Sequence, residues 1–455
     1  MSFAEASGQF ALYECIREVE ARYARARPTF IAPESGSFAE LLTAAKGGGL
    51  VLPSRRLVVD VSSSVNQKKP TGVGRVELEL ARQFAAMAGQ NNQEIVFTAF
   101  DGRVFQIHEL AGENRSSLTP TGTAMRFRPG DHFLLVVMRL DVLDEYFTAI
   151  YHQAKRNGAI IDFMIHDLIP LTNLEAMGGE AVTVNYLIGF SQVLRFADRI
   201  ITVSRKVARD IACYIGQTSV KGIGPTRPLD VAYIALGSDA LLPHERSDQV
   251  LSFPVDGNTF VAVGTLIKHK GLLDLVAAME ILWAEGCTAK LVLLGMDYGK
   301  ANMRARFSDL PVFGKQLFLP GYVTDAEMAA TLRRCNALVC ASGDEGFGLP
   351  LVEAAALGGP VIARDIEIFR ETSGGDAFFF ENGDTGKIAS GLRQWFALSR
   401  PQQMKHVPRK SLVTWKQSAA MLNAIMFQRA SCFSLEVGVK STLNLAVPTG
   451  AAKQS

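Results

Sequence analysis

The chain has 455 residues, 48% apolar and 20% charged, enough for two or three domains with sizeable cores. Its 47 basic and 45 acidic side chains leave a net charge of +2, and no basic run is interleaved with aromatics, which argues against nucleic acid as a partner. No apolar stretch reaches the ~20 residues of a membrane-spanning helix.

The first residues, MSFAEASGQFALYECIREVEARYARARP, lack the basic start and apolar core of a secretory signal. They read as an amphipathic helix from about Glu5 to Arg25, followed by the linker KGGGLVLPS, so residues 1–54 form an N-terminal extension. Cys15, Cys213, Cys287, Cys335, Cys340 and Cys432 form no CxxC pair, as expected of free thiols in a reducing, cytosolic compartment.

From residue 55 to about 245, short apolar runs alternate with segments of helical period. RLVVDVS, EIVFTAF, DHFLLVV, AIIDFMIHD, DRIITVS and VAYIALG are rich in β-branched and aromatic residues. Their near-continuous apolarity predicts buried, parallel strands. VGRVELELARQFAAMA and DVLDEYFTAIYHQAKRNG read as helices, the second stopped by basic residues and a glycine. The pattern breaks at LPHERSDQVLSFPVDGN, which marks a domain boundary near residue 246.

Beyond it the alternation restarts with FVAVGTL, AKLVLLG, QLFLPGYV, ALVCAS, PVIARD and AFFFEN, separated by helices such as LLDLVAAMEILWAEG. Two such blocks predict two doubly wound α/β domains, 55–245 and 246–428, that bind ligands at the carboxyl ends of their strands and face each other across a cleft. The segment SLVTWKQSAAMLNAIMFQ reads as a helix at the end of the second block. Residues 429–455 carry little pattern, which suggests a disordered tail.

The stretch SGDEGFGLPLVEAAALGGPVIARD carries the clearest chemistry. It follows the strand ALVCAS, so Ser342 to Gly348 lie at a carboxyl end. Gly346 and Gly348 allow a tight turn and close approach of a ligand, Pro350 suits a helix start, and Gly358 and Gly359 supply the stop. A helix N-terminus favours an anion. A carboxylate at Glu353 matches the vicinal diol of a ribose, and Glu345 lies further along. The pattern suits an extended ligand with an anionic middle, a ribose at one end and a second polyhydroxyl group at the other, as in a nucleotide-sugar. Incidental acids on a solvated loop are the alternative on physics alone. Elsewhere, Lys270 can be a surface lysine, Gly72 and Gly74 a plain tight turn, and His166, after its apolar strand, a structural histidine. Asp167 reads as a loop-fixing residue, and Asp60 and Ser204 as helix caps. Histidines are dispersed and no DxD-like motif appears, so no metal site is expected.

DEGFGLPLVEAAALGGPVIA resembles the donor-binding signature of the retaining glycosyltransferases of GT-B fold (glycosyl transferases group 1, or family 4 type). VAVGTLIKHKGLLDLVAAM, LVLLGM and LPGYVTDAEMAATLRRCNALVCAS are similar to successive units of the same domain; DVSSSVNQKKPTGVGRVELEL, IIDFMIHDLIPL, RIITVSRKVARDI and IALGSD match the N-terminal layout, so the resemblance covers about residues 56 to 430. It implies two Rossmann-like domains, the first for the acceptor and the second for the donor. It places the donor ribose on Glu353, hydroxyls of the donor sugar on Glu345, the turn Gly346, Phe347, Gly348 and Leu349 around the donor, and the diphosphate on Lys270. Thr265 stands where the family usually has an arginine, so Lys268 or His269 is expected to supply the second positive contact. Gly72 and Gly74 would face the diphosphate with Arg75 directed at the phosphates, and His166 would touch the donor sugar near the reacting carbon.

His166, Lys270 and Glu345 are thus the expected catalytic residues, in a metal-independent, cofactor-free transfer with retention in which the departing phosphate is the base. No carboxylate is placed as a covalent nucleophile. The TGVGRVE-like loop, HDLIP and the GTL…K segment resemble bacterial enzymes of surface-polysaccharide synthesis, implying a mannosyl or similar hexosyl transfer, with GDP-mannose favoured, to a lipid-linked or glycan acceptor at the cytosolic membrane face. YHQAKRNG and SRKVARDIACYIG offer basic groups for peripheral membrane contact, or are ordinary solvated helix faces. A nucleotide-sugar epimerase and a non-catalytic nucleotide-sugar-binding partner are the other classes this architecture admits.

Overall fold

A computed structural model describes residues 55–66, 72–88, 93–111, 117–173, 180–219, 229–244, 249–297, 303–428 and 433–435. The expected N-terminal helix, the linker, Thr71, Cys15, Cys432 and most of the tail lie outside the described residues.

The first sheet contains β1 (Arg55–Asp60), β2 (Gln93–Phe100), β3 (Phe105–Ala111), β4 (Ser117–Ala124), β5 (His132–Leu135), β6 (Ile160–Ile165), β7 (Arg199–Thr202) and β8 (Leu229–Tyr233). The second contains β9 (Thr259–Val263), β10 (Lys290–Leu294), β11 (Leu317–Gly321), β12 (Ala337–Cys340), β13 (Val361–Arg364) and β14 (Phe378–Phe380), and is wholly parallel in the order β11-β10-β9-β12-β13-β14. Apart from β3 and β4, each of these strands falls on a run expected from the sequence. The order reverses between β9 and β12, and in the first sheet between β1 and β5. Crevices at such reversals, outside the carboxyl ends, are where doubly wound sheets bind ligands.

The first sheet is not parallel throughout. After β2 the chain turns back, and β3 and β4 add an antiparallel meander at the edge. The turn is local chemistry: Asp101 Oδ1 accepts from the N–H groups of Arg103 and Val104, each at 2.9 Å, and Gly102 takes φ +102°. An Asp-Gly pair between apolar runs is a hairpin signal. The segment expected to be one helix over residues 141–158 is divided into an α-helix, Leu143–Ala149, a π-helical turn, Ile150–Ala154, and a 3-10 turn, Lys155–Asn157, closed by left-handed Gly158.

The helix Trp415–Gln428 packs on the first domain although it follows the second. Trp415 is buried, its N–H donates to Asp239 Oδ1 at 2.7 Å, and Ser418 Oγ donates to the Ala235 carbonyl at 2.8 Å. A Cβ on Gly237 would lie 2.4 Å from the Trp415 ring, so this seat requires a glycine. Within the tail expected to be disordered, β15 (Phe433–Leu435) pairs antiparallel with β8 and extends the first sheet. The chain end thus returns to the first domain. An apolar cluster runs from Leu57, Val59 and Phe84 through Trp415 and Leu422 to Val261 and Leu351.

Candidate active site

Four carboxyl-end segments converge where the two sheets face each other. His166 follows β6, Ser204 follows β7, the turn Lys268–Lys270 follows β9, and the loop Ser342–Gly348 follows β12. The approach is close enough to restrict composition. A Cβ on Gly346 would sit 1.9 Å from the His166 carbonyl oxygen, while Ser204 Oγ donates to the Gly346 carbonyl at 2.8 Å. Lys206 Nζ reaches Asp344 at 2.6 Å, and the N–H groups of Arg205 and Lys206 donate to Glu371 at 2.7 and 3.1 Å. Ser204 also caps its helix, accepting from Val207 N–H at 3.2 Å.

Lys270 Nζ donates to Glu345 Oε1 at 2.6 Å, and Ser342 Oγ donates to the same oxygen at 2.8 Å. Burial works to raise the Glu345 pKa; the Lys270 charge and these hydrogen bonds, with His269 nearby, outweigh it and hold the carboxyl below its ordinary value. Gly264, with φ +154°, lies against the Lys270 side chain, and left-handed Gly271 closes the turn against the Ala341 carbonyl. A pocket beside the pair is lined by Lys270, Ser342, Glu345, Gly348, Pro350 and Phe369. His269 is buried in the turn and its carbonyl accepts from Gly343 N–H at 2.9 Å, whereas Lys268 is exposed and Thr265 half-buried.

His166 Nε2 donates to the Val136 carbonyl at 2.9 Å, so Nδ1 is the acceptor nitrogen of a neutral ring. Burial pulls its pKa down to about 4. Asp167 fixes the loop, as expected: its Oδ1 accepts from Ile169 N–H at 3.0 Å, and burial raises its pKa to about 6.

Glu353 lies in the helix Leu349–Ala356, led by left-handed Gly348 and with Pro350 in its first turn. It is 1% exposed, and burial raises its pKa to about 7 against the lowering charge of Arg75. Arg75 departs from expectation. Gly72, Gly74 and Arg75 form the first turn of the helix Gly72–Met87 rather than a loop before it. Arg75 Nη1 is 3.3 Å from Glu353 Oε1 and Nη2 is 2.5 Å from Asp325 Oδ1, so its side chain is directed at the expected ribose end, not at phosphates beside Lys270. A Cβ on Gly72 would meet no atom within 4 Å, whereas Gly74 is buried. Phe347 packs into the core, and Leu349 is partly buried against it. In this structure both serve the turn through packing.

Ser342, Asp325 and Glu371 escaped the sequence reading as site residues. Ser342 lies in the quoted signature, and Asp325 opens a helix whose Thr324–Glu327 capping box is visible in TDAE. Glu371 had no local signal, because its partners are helix-end N–H groups of the other domain. Among the described residues, no group of three or more His, Cys, Asp or Glu is placed to hold a metal ion.

Two facing doubly wound domains with these groups at their strand ends define a GT-B glycosyltransferase fold. Residues 243–410 match the family model Glycosyl transferases group 1. Over 382 residues the chain is 28% identical to the serotype-specific mannosyltransferase WbdA of Escherichia coli, covering 81% of this chain and 46% of WbdA. The chain thus spans about half the length of the curated relatives that it matches first. It is 30% identical over 136 residues to the O-antigen chain mannosyltransferase RfbU of Salmonella typhimurium, covering 30% of this chain and 38% of RfbU. Among solved structures, a sucrose-phosphate synthase from Thermosynechococcus elongatus superposes with a TM-score of 0.58 at 14% identity, covering 82% of this chain and 99% of that one. HepE of Anabaena, in complex with UDP-glucose, gives a TM-score of 0.53 at 13% identity, covering 82% and 98%.

Proposed function

We propose that the protein is a hexosyltransferase that moves a sugar, mannose in the favoured reading, from a nucleotide-sugar to a lipid-linked or polysaccharide acceptor in cell-surface glycan synthesis. The observation that carries this is the Lys270–Glu345 pair at the carboxyl ends of β9 and β12, with Glu353 in the helix that follows and His166 against Gly346 across the seam. The mannosyltransferase relatives supply the argument for the sugar. GDP-mannose is the donor proposed from them.

In this mechanism Glu353 accepts hydrogen bonds from the ribose hydroxyls. Lys270, with Lys268 or His269, faces the diphosphate, where negative charge grows as the anomeric bond breaks. Glu345 accepts from hydroxyls of the sugar, and neutral His166 offers Nδ1 as an acceptor near the reacting carbon. Held by Lys270 and Ser342, Glu345 is a weak nucleophile. The acceptor hydroxyl therefore attacks from the face the diphosphate leaves, its proton passes to the departing phosphate, and the configuration is retained. These positive groups serve at the diphosphate in place of a divalent ion.

Peripheral membrane attachment through YHQAKRNG and SRKVARDIACYIG has less to draw on than the sequence suggests. Lys155 pairs with Asp198 at 2.6 Å, Lys206 with Asp344 at 2.6 Å, and Arg209 with Glu367. Among the described residues, no helix is long and apolar enough to cross a membrane. In this reading the acceptor lipid is the main membrane contact.

A thermal-shift panel of GDP, UDP and ADP with their sugars tests the donor, because a ligand that binds only the folded state raises its stability. GDP and GDP-mannose are expected to give the largest shifts. A shift from UDP-glucose alone overturns the mannosyl assignment; incubation of the chain with donor and lipid-linked acceptors reads the reaction itself, and an epimerised donor without transfer overturns the transferase reading.

A further inference from the structure

Glu353 and Arg75 belong to different domains, yet they share one buried cluster. Side-chain exposure is 2% for Glu353 and 16% for Arg75, and the guanidinium lies between the Glu353 and Asp325 carboxylates, at 3.3 and 2.5 Å. Neither Glu353 Oε1 nor Arg75 Nη2 has a partner of hydrogen-bond geometry. Glu79, one helical turn beyond Arg75, adds a third carboxylate and is bonded to Arg82. Asp325 and Glu79 both oppose ionisation of Glu353, and Arg75 supports it; Tyr322 also feels Asp325 and Arg75. A carboxylate removed from water among like charges needs a cation to stay ionised.

We propose that Arg75 is a positioning residue for the donor: from the first domain it holds the Glu353 carboxylate ionised and oriented for ribose hydroxyls in the second. This rests on the donor reading above and deepens it. Arg75 is then not a phosphate ligand. It joins the two domains at the ribose end, as Ser204 and Gly346 join them at the sugar end. A protonated Glu353 has lost one acceptor site and its charge, so donor affinity depends on whether Arg75 is in place.

The test is calorimetric titration of the full chain with GDP and UDP, each alone, between pH 5.5 and 9, for the parent, Arg75→Gln, Arg75→Lys and Asp325→Asn. In the parent, affinity rises with pH as Glu353 ionises. Arg75→Gln is expected to bind about tenfold more weakly at pH 7, to move the midpoint of that rise up by about one pH unit, and to recover by pH 9, since one unit of pKa corresponds to a factor of ten. Arg75→Lys restores part of the shift. Asp325→Asn, which removes a repelling charge at an exposed position, moves the midpoint down. Equal midpoints in all four proteins overturn the inference while leaving the donor site intact, as does loss of affinity in Arg75→Gln by the same factor at every pH, the signature of a phosphate ligand. A parent that binds neither nucleotide at any pH overturns the donor reading itself.

Discussion

Lys270 Nζ and Glu345 Oε1 lie 2.6 Å apart, joining the turn after β9 to the loop after β12 across the reversal in strand order. The pair neutralises itself and leaves the remaining ammonium hydrogens for an anion. Lys270→Ala is expected to lower turnover by about 10²–10³-fold, the cost of losing one preorganised donor to developing charge, with a smaller effect on donor affinity. Steady-state kinetics check this. Equal turnover in mutant and parent would give the role to Lys268 or His269.

Glu353→Ala is expected to weaken nucleotide binding by about 1.5–3 kcal/mol, the worth of hydrogen bonds to a charged group, with the fold preserved because Arg75 retains Asp325. Calorimetry with the nucleoside diphosphate measures it. Unchanged affinity removes Glu353 from the ribose site.

Gly346→Ala is expected to force the domains apart at the sugar end, since its Cβ would lie 1.9 Å from the His166 carbonyl oxygen. Overpacking of this kind costs about 1–3 kcal/mol, and activity should fall further than stability. Ser204→Ala removes the hydrogen bond to Gly346 and the helix cap on Val207 N–H without overpacking the contact, and is expected to cost about 1–2 kcal/mol with activity falling no further than stability. Melting curves and turnover measured together separate the two; equal losses in both variants would contradict the close-approach account.

Glu77 is fully buried, and its pKa is raised to about 8 by burial and by the Asp60 carboxylate, itself raised to about 6 chiefly by burial. A carboxyl that holds its proton more tightly when folded contributes stability that is present below its unfolded value of ~4.5 and is lost as pH rises through the folded one. Between pH 5 and 9 the parent therefore loses stability from this group, and Glu77→Gln does not. Melting curves at pH 5, 7 and 9 should converge at pH 5 and separate at pH 9, with the variant more stable; parallel curves would show that Glu77 is ionised in the folded chain.

Much of this was legible in sequence because the determinants are local. Short apolar runs mark every strand of the second sheet, and the turn glycines of the signature place Glu345 and Glu353 at one strand end and the helix after it. The hairpin after β2 also had a local signal in Asp101-Gly102, but apolar runs alone do not show strand direction. Arg75 was misdirected for a different reason: its partners, Glu353 and Asp325, are hundreds of residues away in sequence, and only the facing of two domains brings them together. The same holds for Glu371 at the helix end of Arg205, and for β15, whose three residues carry too little pattern to read as a strand until β8 offers an edge.

The central claim is transfer, and labelled donor reads it directly. The purified chain is incubated with GDP-mannose radiolabelled in the sugar, or with UDP-glucose, together with a bacterial lipid extract. Label is expected to move from GDP-mannose into the organic-soluble or polymer fraction with an equal release of GDP, and to stop in Lys270→Ala. Label that remains in the donor with both sugars, despite measurable nucleotide binding, would contradict the account and leave a protein that binds nucleotide-sugars without transferring them.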